Sequence, residues 1–556
     1  MAADSFDRRS FLRAAAIGAA SVPFVGGFPG RAYASTDTSP LWAEFLRTPF
    51  THPQIPNVAW AGYRGGEKHP HPPVRANVLH YGAANDGSAD AAPAINRAIE
   101  DVGRRGGGTV LLPAGVYRTD DVILVGYDGV VLRGDGSAET IIQPTWHLED
   151  VIGVHRSRFG PITRDDSAWS WTGGLVWVSH RDRYHALVDE IRATMRAPEI
   201  WTGDETLATV TTTASRGDFT VTVDDPGHLE PGMRVLLKID DDDQYGLLKH
   251  MCGDIPGTAS YVWTDKTKLV SYRPYVWPVL ITGIDGNRIE LEQPLPLDIR
   301  AGWRTRLTTT GPVIYEAGVA GITIRLPLVP QQKHLKDKGF NGLLFQCAWN
   351  CWADDVVVEN SDNGIILTCA KNTTVRGTRV GGRMRHHSHA CREQSHDNLF
   401  EDFALDEATV PLAPGANHHG INVEGLSSGN VWSNGRMDNG TFDSHRGLPF
   451  GNVRTQVVID NDGAHGGSAD AGPLYGARFA HWNVTVVNQR AGCVKIDGVA
   501  PCSATVGISE VRDFGQIDKP DFAGPLNSRL ESYGDTSVVP PNLYDAQRKA
   551  RRKGWR

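Results

Sequence analysis

The chain has 556 residues, 40% of them apolar, with 61 glycines and 22% charged residues. That length exceeds one compact domain of ordinary size and suits several domains or one elongated repeat domain. Abundant Gly with modest charge favours β structure over helix. A formal net charge of −8 excludes the broadly basic face of a nucleic-acid binder, but not a local basic cleft that grips an acidic polymer.

At the N-terminus, Asp7-Arg8-Arg9-Ser10-Phe11-Leu12-Arg13 precedes an apolar run from Ala14 to Phe28 and a small-x-small site, Ala32-Tyr33-Ala34. The run is too short to span a bilayer, and its flanks suit a removable signal. Residues 1–34 resemble a twin-arginine export signal, which implies a secreted or periplasmic protein with no membrane contact after cleavage. The seven cysteines are an odd count that cannot form a dense disulfide framework, and Cys347 and Cys351 lack a second Cys or His pair at zinc spacing. They read as small buried apolar residues, with Cys493 and Cys502 able to bridge in an oxidising compartment.

Residues 35–74 are rich in Pro, His and aromatics and read as an irregular arm on the main body. From Asn77 the order becomes regular. Asn77-Val78-Leu79 leads to Asn85-Asp86-Gly87. A helix beginning near Ala91 puts Ile95, Ala98, Ile99 and Val102 on one face and ends at Gly103. Gly106-Gly107-Gly108-Thr109-Val110-Leu111-Leu112-Pro113-Ala114-Gly115 follows, then short strands at Val122-Ile123-Leu124 and Val130-Val131-Leu132. This order resembles the opening of pectate lyase-like β-helices, in which the helix caps the end of a solenoid that would otherwise expose its core and edge backbone. The resemblance covers about sixty residues. It implies an all-β fold, a right-handed parallel β-helix with an N-terminal capping helix. A dinucleotide fold is disfavoured because the glycines follow the helix instead of opening it.

The solenoid is expected to begin in residues 75–204. Residues 205–305 then read as a small β insertion, with alternation at Phe219-Thr220-Val221-Thr222-Val223 and a turn at Pro231-Gly232. Its tryptophans fill a core or, as a lesser alternative, stack on sugar. The run Asp240–Asp243 reads as a solvated loop, with a calcium site as the minor alternative. Residues 306–515 carry the main coils. Asn or Asp precedes apolar residues at Asp355, Asn372, Asn398, Asn430 and Asn452, in steps of 17, 26, 32 and 22. Coils of about twenty residues with loops on one face give this spacing, and the Asn side chains are expected to stack and bond neighbouring turns. The solenoid is expected to end near Arg512, with residues 516–556 a packed tail.

Nine of the 20 histidines fall between His386 and His481, in loops that a rigid scaffold would hold. Counting back six residues from Asn398, Asn430 and Asn452 reaches Arg392, Glu424 and Arg446, an expected outward ladder about 4.8 Å per step. His386, His389, His418, His419 and His445 are candidate bases, with Asp443 beside them. Arg385, Asn422 and Lys333 are candidate substrate contacts. Alternation points Ile421 and Val423 inward, and puts His445 inward with Asp443 unless a bulge intervenes. The residues assign no metal ligand and require no cofactor, though a divalent cation such as calcium is compatible.

Abundant His and Arg without paired acids suit a uronate lyase, which neutralises a carboxylate, removes the neighbouring proton and protonates the leaving oxygen. The expected partner is therefore an acidic polysaccharide. A glycoside hydrolase or glycan transferase using Glu424 and Asp443 is the alternative. A non-catalytic glycan-binding β-helix is the second, since tailspikes and adhesins share the fold.

Overall fold

The structure, a computed structural model, describes residues 38–158, 163–263, 274–383, 385–411, 414–416, 418–461, 472–487, 494–509 and 520–555. Residues 1–34, expected to be a signal, and Cys493 and Arg512 lie outside the described residues. Six cysteines are described; all are buried and none is bridged to another described cysteine.

Parallel pairing organises the body. Val74–Asn77 pairs with Gly108–Leu112, which pairs with Val130–Gly134. The ladder then jumps the insertion. Gly318–Arg325 continues directly on Val130–Gly134 and Thr140–Pro144, followed by Trp352–Glu359, Thr374–Arg376, Leu399–Glu401, Val431–Ser444, Val453–Asn461, Ala480–Val486 and Ala504–Ile508. A second parallel ladder runs Ile123–Val125, Val176–Val178, Leu343–Trp349, Asn363–Lys371, His387–Arg392, Gly420–Val423 and the end of Val431–Ser444. The chain is thus a parallel β-helix, with β-branched and aromatic residues lining its interior from Val110 to Ile508. The coils do not stop near Arg512: Arg529–Tyr533 adds a further parallel strand on Ala504–Ile508.

Ala92–Arg104 caps the first coil with Ile95, Ala98, Ile99 and Val102 buried. The tail packs on the body as expected and includes a helix. Leu543–Arg552 is a helix whose Leu543, Tyr544 and Gln547 are buried. It clamps the N-terminal arm, with the Tyr544 hydroxyl donating to Ala61 O at 2.8 Å and Gln547 Nε2 donating to Pro56 O at 3.0 Å.

The insertion is a six-stranded antiparallel sheet from Thr206–Thr209 to Arg304–Thr308. It sits against the coils and shares a core with Leu426, Leu448 and Phe450. Trp263, Trp277 and Trp303 are buried in that core. The Asp240–Asp243 run is spent locally. Asp240 pairs with Arg306, and Asp241 and Asp242 accept backbone N–H groups of the following helix, Gly246–Met251.

Two columns set the coil register. In one, Asn398 Nδ2 donates to Asn430 Oδ1 at 2.9 Å and Asn430 Nδ2 to Asn452 Oδ1 at 3.0 Å, all fully buried. Asn372 is not a member. Thr373 takes that place, its N–H donating to Asn398 Oδ1 at 2.9 Å. Asn372 belongs to the adjacent column of left-handed turn residues, with Asn350, Asp397, Gly429 and Gly451 at φ between 50° and 71°. Asn and Asp tolerate that conformation and Gly meets no penalty in it. Asp355, at φ 53°, lies within the strand Trp352–Glu359 and outside both columns. Replacing Asn430 with Ala removes the acceptor of Asn398 and the donor to Asn452. Denaturant unfolding should show a loss of about 1–3 kcal/mol; an unchanged midpoint would mean the ladder is incidental.

Candidate functional site

The second ladder brings the candidate residues together. Asn363, His387, Gly420 and Thr441 are cross-strand partners, as are Ile365, His389, Ile421 and Phe442, and then Ile366, Ala390, Asn422 and Asp443. A bulge lies between His387 and His389, where two steps on one strand oppose a single step from Gly420 to Ile421. The extra residue puts the two histidines on opposite faces. His389 therefore points into the coil. It is fully buried, stacks on Phe400 with centroids 4.4 Å apart, and burial pushes its pKa down to about 3. It is a core residue, which removes it from the candidate bases.

Ile421 and Val423 face inward, and Asn422 and Glu424 lie on the other face with polar partners. Arg392 and Glu424 occupy successive rungs. Arg392 Nε donates to Glu424 Oε1 at 2.8 Å, and the guanidinium also donates to Trp171 O. The third rung is His445, whose backbone N–H donates to Val423 O at 3.1 Å. Arg446 comes one residue later, in a turn at φ 43°. The stretch between the ladder and Asn452 is one residue longer than in the two preceding coils, so counting six back stops one residue short of the rung. The expected inward placement of Asp443 and His445 is overturned without a bulge: Ser444, beside Val423, takes the inward parity and leaves Asp443 and His445 outside.

Outward does not mean exposed. Arg392 and Glu424 are 2% and 4% exposed, because the segments around Trp171 and His334 fold over the strands. A cavity of about 300 Å³ remains, bounded by Trp171, His334, His386, Arg392, Glu424, His445 and Arg446. A wider depression of about 580 Å³ lies among Phe50, Trp60, Trp277 and Phe450. It contains no histidine, whereas the smaller cavity gathers His334, His386 and His445 with Arg392 and Arg446.

The acids are held ionised. Burial alone would raise the Glu424 carboxyl, but Arg392, Arg446 and His445 outweigh it and keep it below its ordinary value. Asp443 is buried too, yet His445 and His419 and the bond from Asn422 hold it low. Asn422 Nδ2 donates to Asp443 Oδ2 at 2.7 Å, so Asn422 positions the acid. His445 lies between two charges. Its Nδ1 is 3.3 Å from Asp443 Oδ2, and its Nε2 accepts from Arg446 at 3.1 Å.

Four more imidazoles crowd the same wall. The His386 and His387 rings are 4.2 Å apart, His386 and His419 4.9 Å, and His334 and His386 5.4 Å. Burial pushes His386, His387 and His419 well below the usual imidazole range. His334 and His387 were not singled out by sequence; His334 lies alone in a loop, and only its approach to His386 reveals it.

Other candidates are placed elsewhere. His418 turns back to donate to Arg385 O at 2.8 Å. Arg385 is buried, donating to Ser388 Oγ at 2.6 Å and to Asp406 O at 2.9 Å, so it props the chain instead of meeting a substrate. Lys333 is exposed on the loop, one residue before His334.

Residues 75–172 match the family described as rhamnogalacturonase A/epimerase, pectate lyase-like. That match covers the first coils of the parallel β-helix, over which the chain is similar to pectate lyase-like proteins. Mannuronan C5-epimerase AlgE1 of Azotobacter vinelandii is 42% identical over 98 residues, 16% of this chain and 7% of that protein. Alginate lyase 7 of the same organism is 38% identical over 97 residues, 16% and 11% of the two chains. The chain thus spans a small fraction of the length of the curated relatives it matches. Among solved structures, the tailspike protein gp49 of Pseudomonas phage LKA1 aligns over 78% of this chain and 72% of its own, at 12% identity and a TM-score of 0.41. The family match touches the cavity only through Ser170 and Trp171, whose carbonyls accept from His386 and Arg392.

Burial of the Arg392–Glu424 pair bears on stability. Arg392→Ala is not a silent surface change. It strands Glu424 in the interior and should cost about 3–5 kcal/mol. Arg446, only partly buried, should cost about 1 kcal/mol or less when replaced by Ala. Denaturant unfolding of both variants tests this, and equal losses would contradict the placement.

Proposed function

We propose that the protein is a carbohydrate-active enzyme acting on a uronic-acid polymer, as a lyase that cleaves by β-elimination. The observation that carries this is the Asp443–His445–Arg446 line beside the Arg392–Glu424 pair. A uronate carboxylate entering the cavity meets Arg446, the less buried of its two guanidiniums. Engaging that carboxylate draws Arg446 from His445 Nε2 and turns the lone pair toward the substrate. His445 then takes the proton next to the carboxylate. The C–H electrons form the new double bond, and the bond to the glycosidic oxygen breaks as that oxygen takes up a proton. Asp443, facing Nδ1, stabilises the imidazolium. Neutralising the carboxylate stabilises the charge that builds during proton removal.

Epimerisation is the second reading, supported by the C5-epimerases among the relatives. It begins with the same proton removal and returns the proton to the other face. A hydrolase built on Glu424 and Asp443 is less well supported. It needs one of the two carboxyls protonated, and both are held ionised.

The test is digestion of a panel of uronic-acid polysaccharides. Elimination gives an unsaturated product with new ultraviolet absorbance. Replacing His445 or Arg446 with Ala should lower kcat/KM by about 10²-fold or more. New reducing ends without absorbance would mean hydrolysis; solvent deuterium entering the polymer without cleavage would mean epimerisation. The substrate would be met outside the cytoplasm, as the twin-arginine pattern supports. Changing Arg8 and Arg9 to Lys should then trap an uncleaved precursor in the cell, and normal export of that variant would overturn the address.

A further inference from the structure

Among the described residues, His334, His386 and His419 offer ring nitrogens that all lie within 4.8 Å of one another. Their tautomers are partly fixed by neighbours. His386 Nδ1 donates to Ser170 O at 2.7 Å, which leaves a lone pair on Nε2. That Nε2 is buried and meets no hydrogen-bond partner among the described protein groups. His387 is fixed the same way. Its Nδ1 donates at 3.2 Å to Asn363 Oδ1, the amide oxygen, since Asn363 Nδ2 already donates to Trp169 O and Asn341 Oδ1. Its Nε2 is likewise buried without a protein partner. Neither nitrogen of His419 has one, and its Nδ1 lies 3.7 Å from Asp443 Oδ2. Lone pairs on neighbouring imidazoles repel and cannot satisfy one another. An interior that converges them without protein donors is built to meet a positive centre.

We propose that His334, His386 and His419 bind one divalent transition-metal ion of the zinc type at the edge of the cavity. Imidazole nitrogens suit zinc and its first-row neighbours, whereas calcium takes six to eight oxygens. The surroundings match those of metal-binding histidines. The far nitrogen of such a ring is held by a carbonyl or carboxylate that orients it and raises its basicity; here Ser170 O stands behind His386 and Asp443 behind His419. Three histidines leave a coordination position open toward the cavity, where a substrate oxygen could reach it. Zinc–nitrogen bonds of about 2.0–2.1 Å bring tetrahedral donors to about 3.4 Å apart. His334, on a half-buried loop, is the ligand placed to close that gap. The inference concerns the cavity of the proposed reaction but not the reaction itself, so its test reads metal alone.

The mature protein, stripped with a chelator, is titrated with Zn²⁺ by calorimetry and with Co²⁺ by visible absorption. One equivalent of each should bind, with the intense visible bands of tetrahedral Co²⁺, and excess Ca²⁺ should not compete. His386→Ala and His419→Ala should abolish binding. His334→Ala, on the loop and least able to disturb folding, should weaken it at least tenfold. Asp443→Asn should weaken it about 10–100-fold. Arg446→Ala should bind metal as the parent does, even though the proposed reaction needs it, so a failed activity assay leaves this result standing. Absence of stoichiometric Zn²⁺ and Co²⁺ uptake by the folded parent, or unchanged uptake by His334→Ala, would overturn the site.

Discussion

Register between coils is the constraint on which everything else rests. Each parallel strand satisfies its backbone N–H and C=O groups only through the coils on either side, so a one-residue slip would turn every side chain over. The Asn398–Asn430–Asn452 ladder and the column of left-handed turns fix that register from both sides of the same corner. Rungs on the next sheet then follow. Arg392 meets Glu424, and His445 follows Glu424, because the corner is held.

A rigid corner allows charge to be buried beside it. The faces of a bare solenoid are wet, and a pair such as Arg392–Glu424 would be worth little there. Here the segments bearing Trp171 and His334 close over the strands, and the insertion packs along the neighbouring turns. It does so through Leu426, Leu448 and Phe450 and through a hydrogen bond from His396 Nε2 to Val276 O at 2.9 Å. Desolvation then strengthens the attraction between the pair and pushes the imidazoles toward their neutral forms. The same cover that stabilises the ion pair makes the histidines available as bases or ligands.

Much of the architecture was legible because it repeats. Period-two alternation, a capping helix with one apolar face and recurrent turn Asn are local signals, and each maps onto a coil. The misreadings share a cause. His389 was drawn into the site by the histidines around it, and only the bulge between His387 and His389 turns it into the core. Arg446 was given the rung that His445 holds because the count assumed equal turns. Arg385 looked like a free cation, yet its donors meet Ser388 and Asp406.

The sequence by itself determined the class of fold, the stacking of Asn398, Asn430 and Asn452, and the stretch of coils where histidines gather. These depend on patterns within one or two coils. Only the tertiary structure decided which histidines face each other. Ser170, His334, His386, His419 and Asp443 come from segments as many as 273 positions apart in the chain. No spacing records their meeting, because the geometry arises from coil stacking and from loops of unrelated length folding onto the same wall.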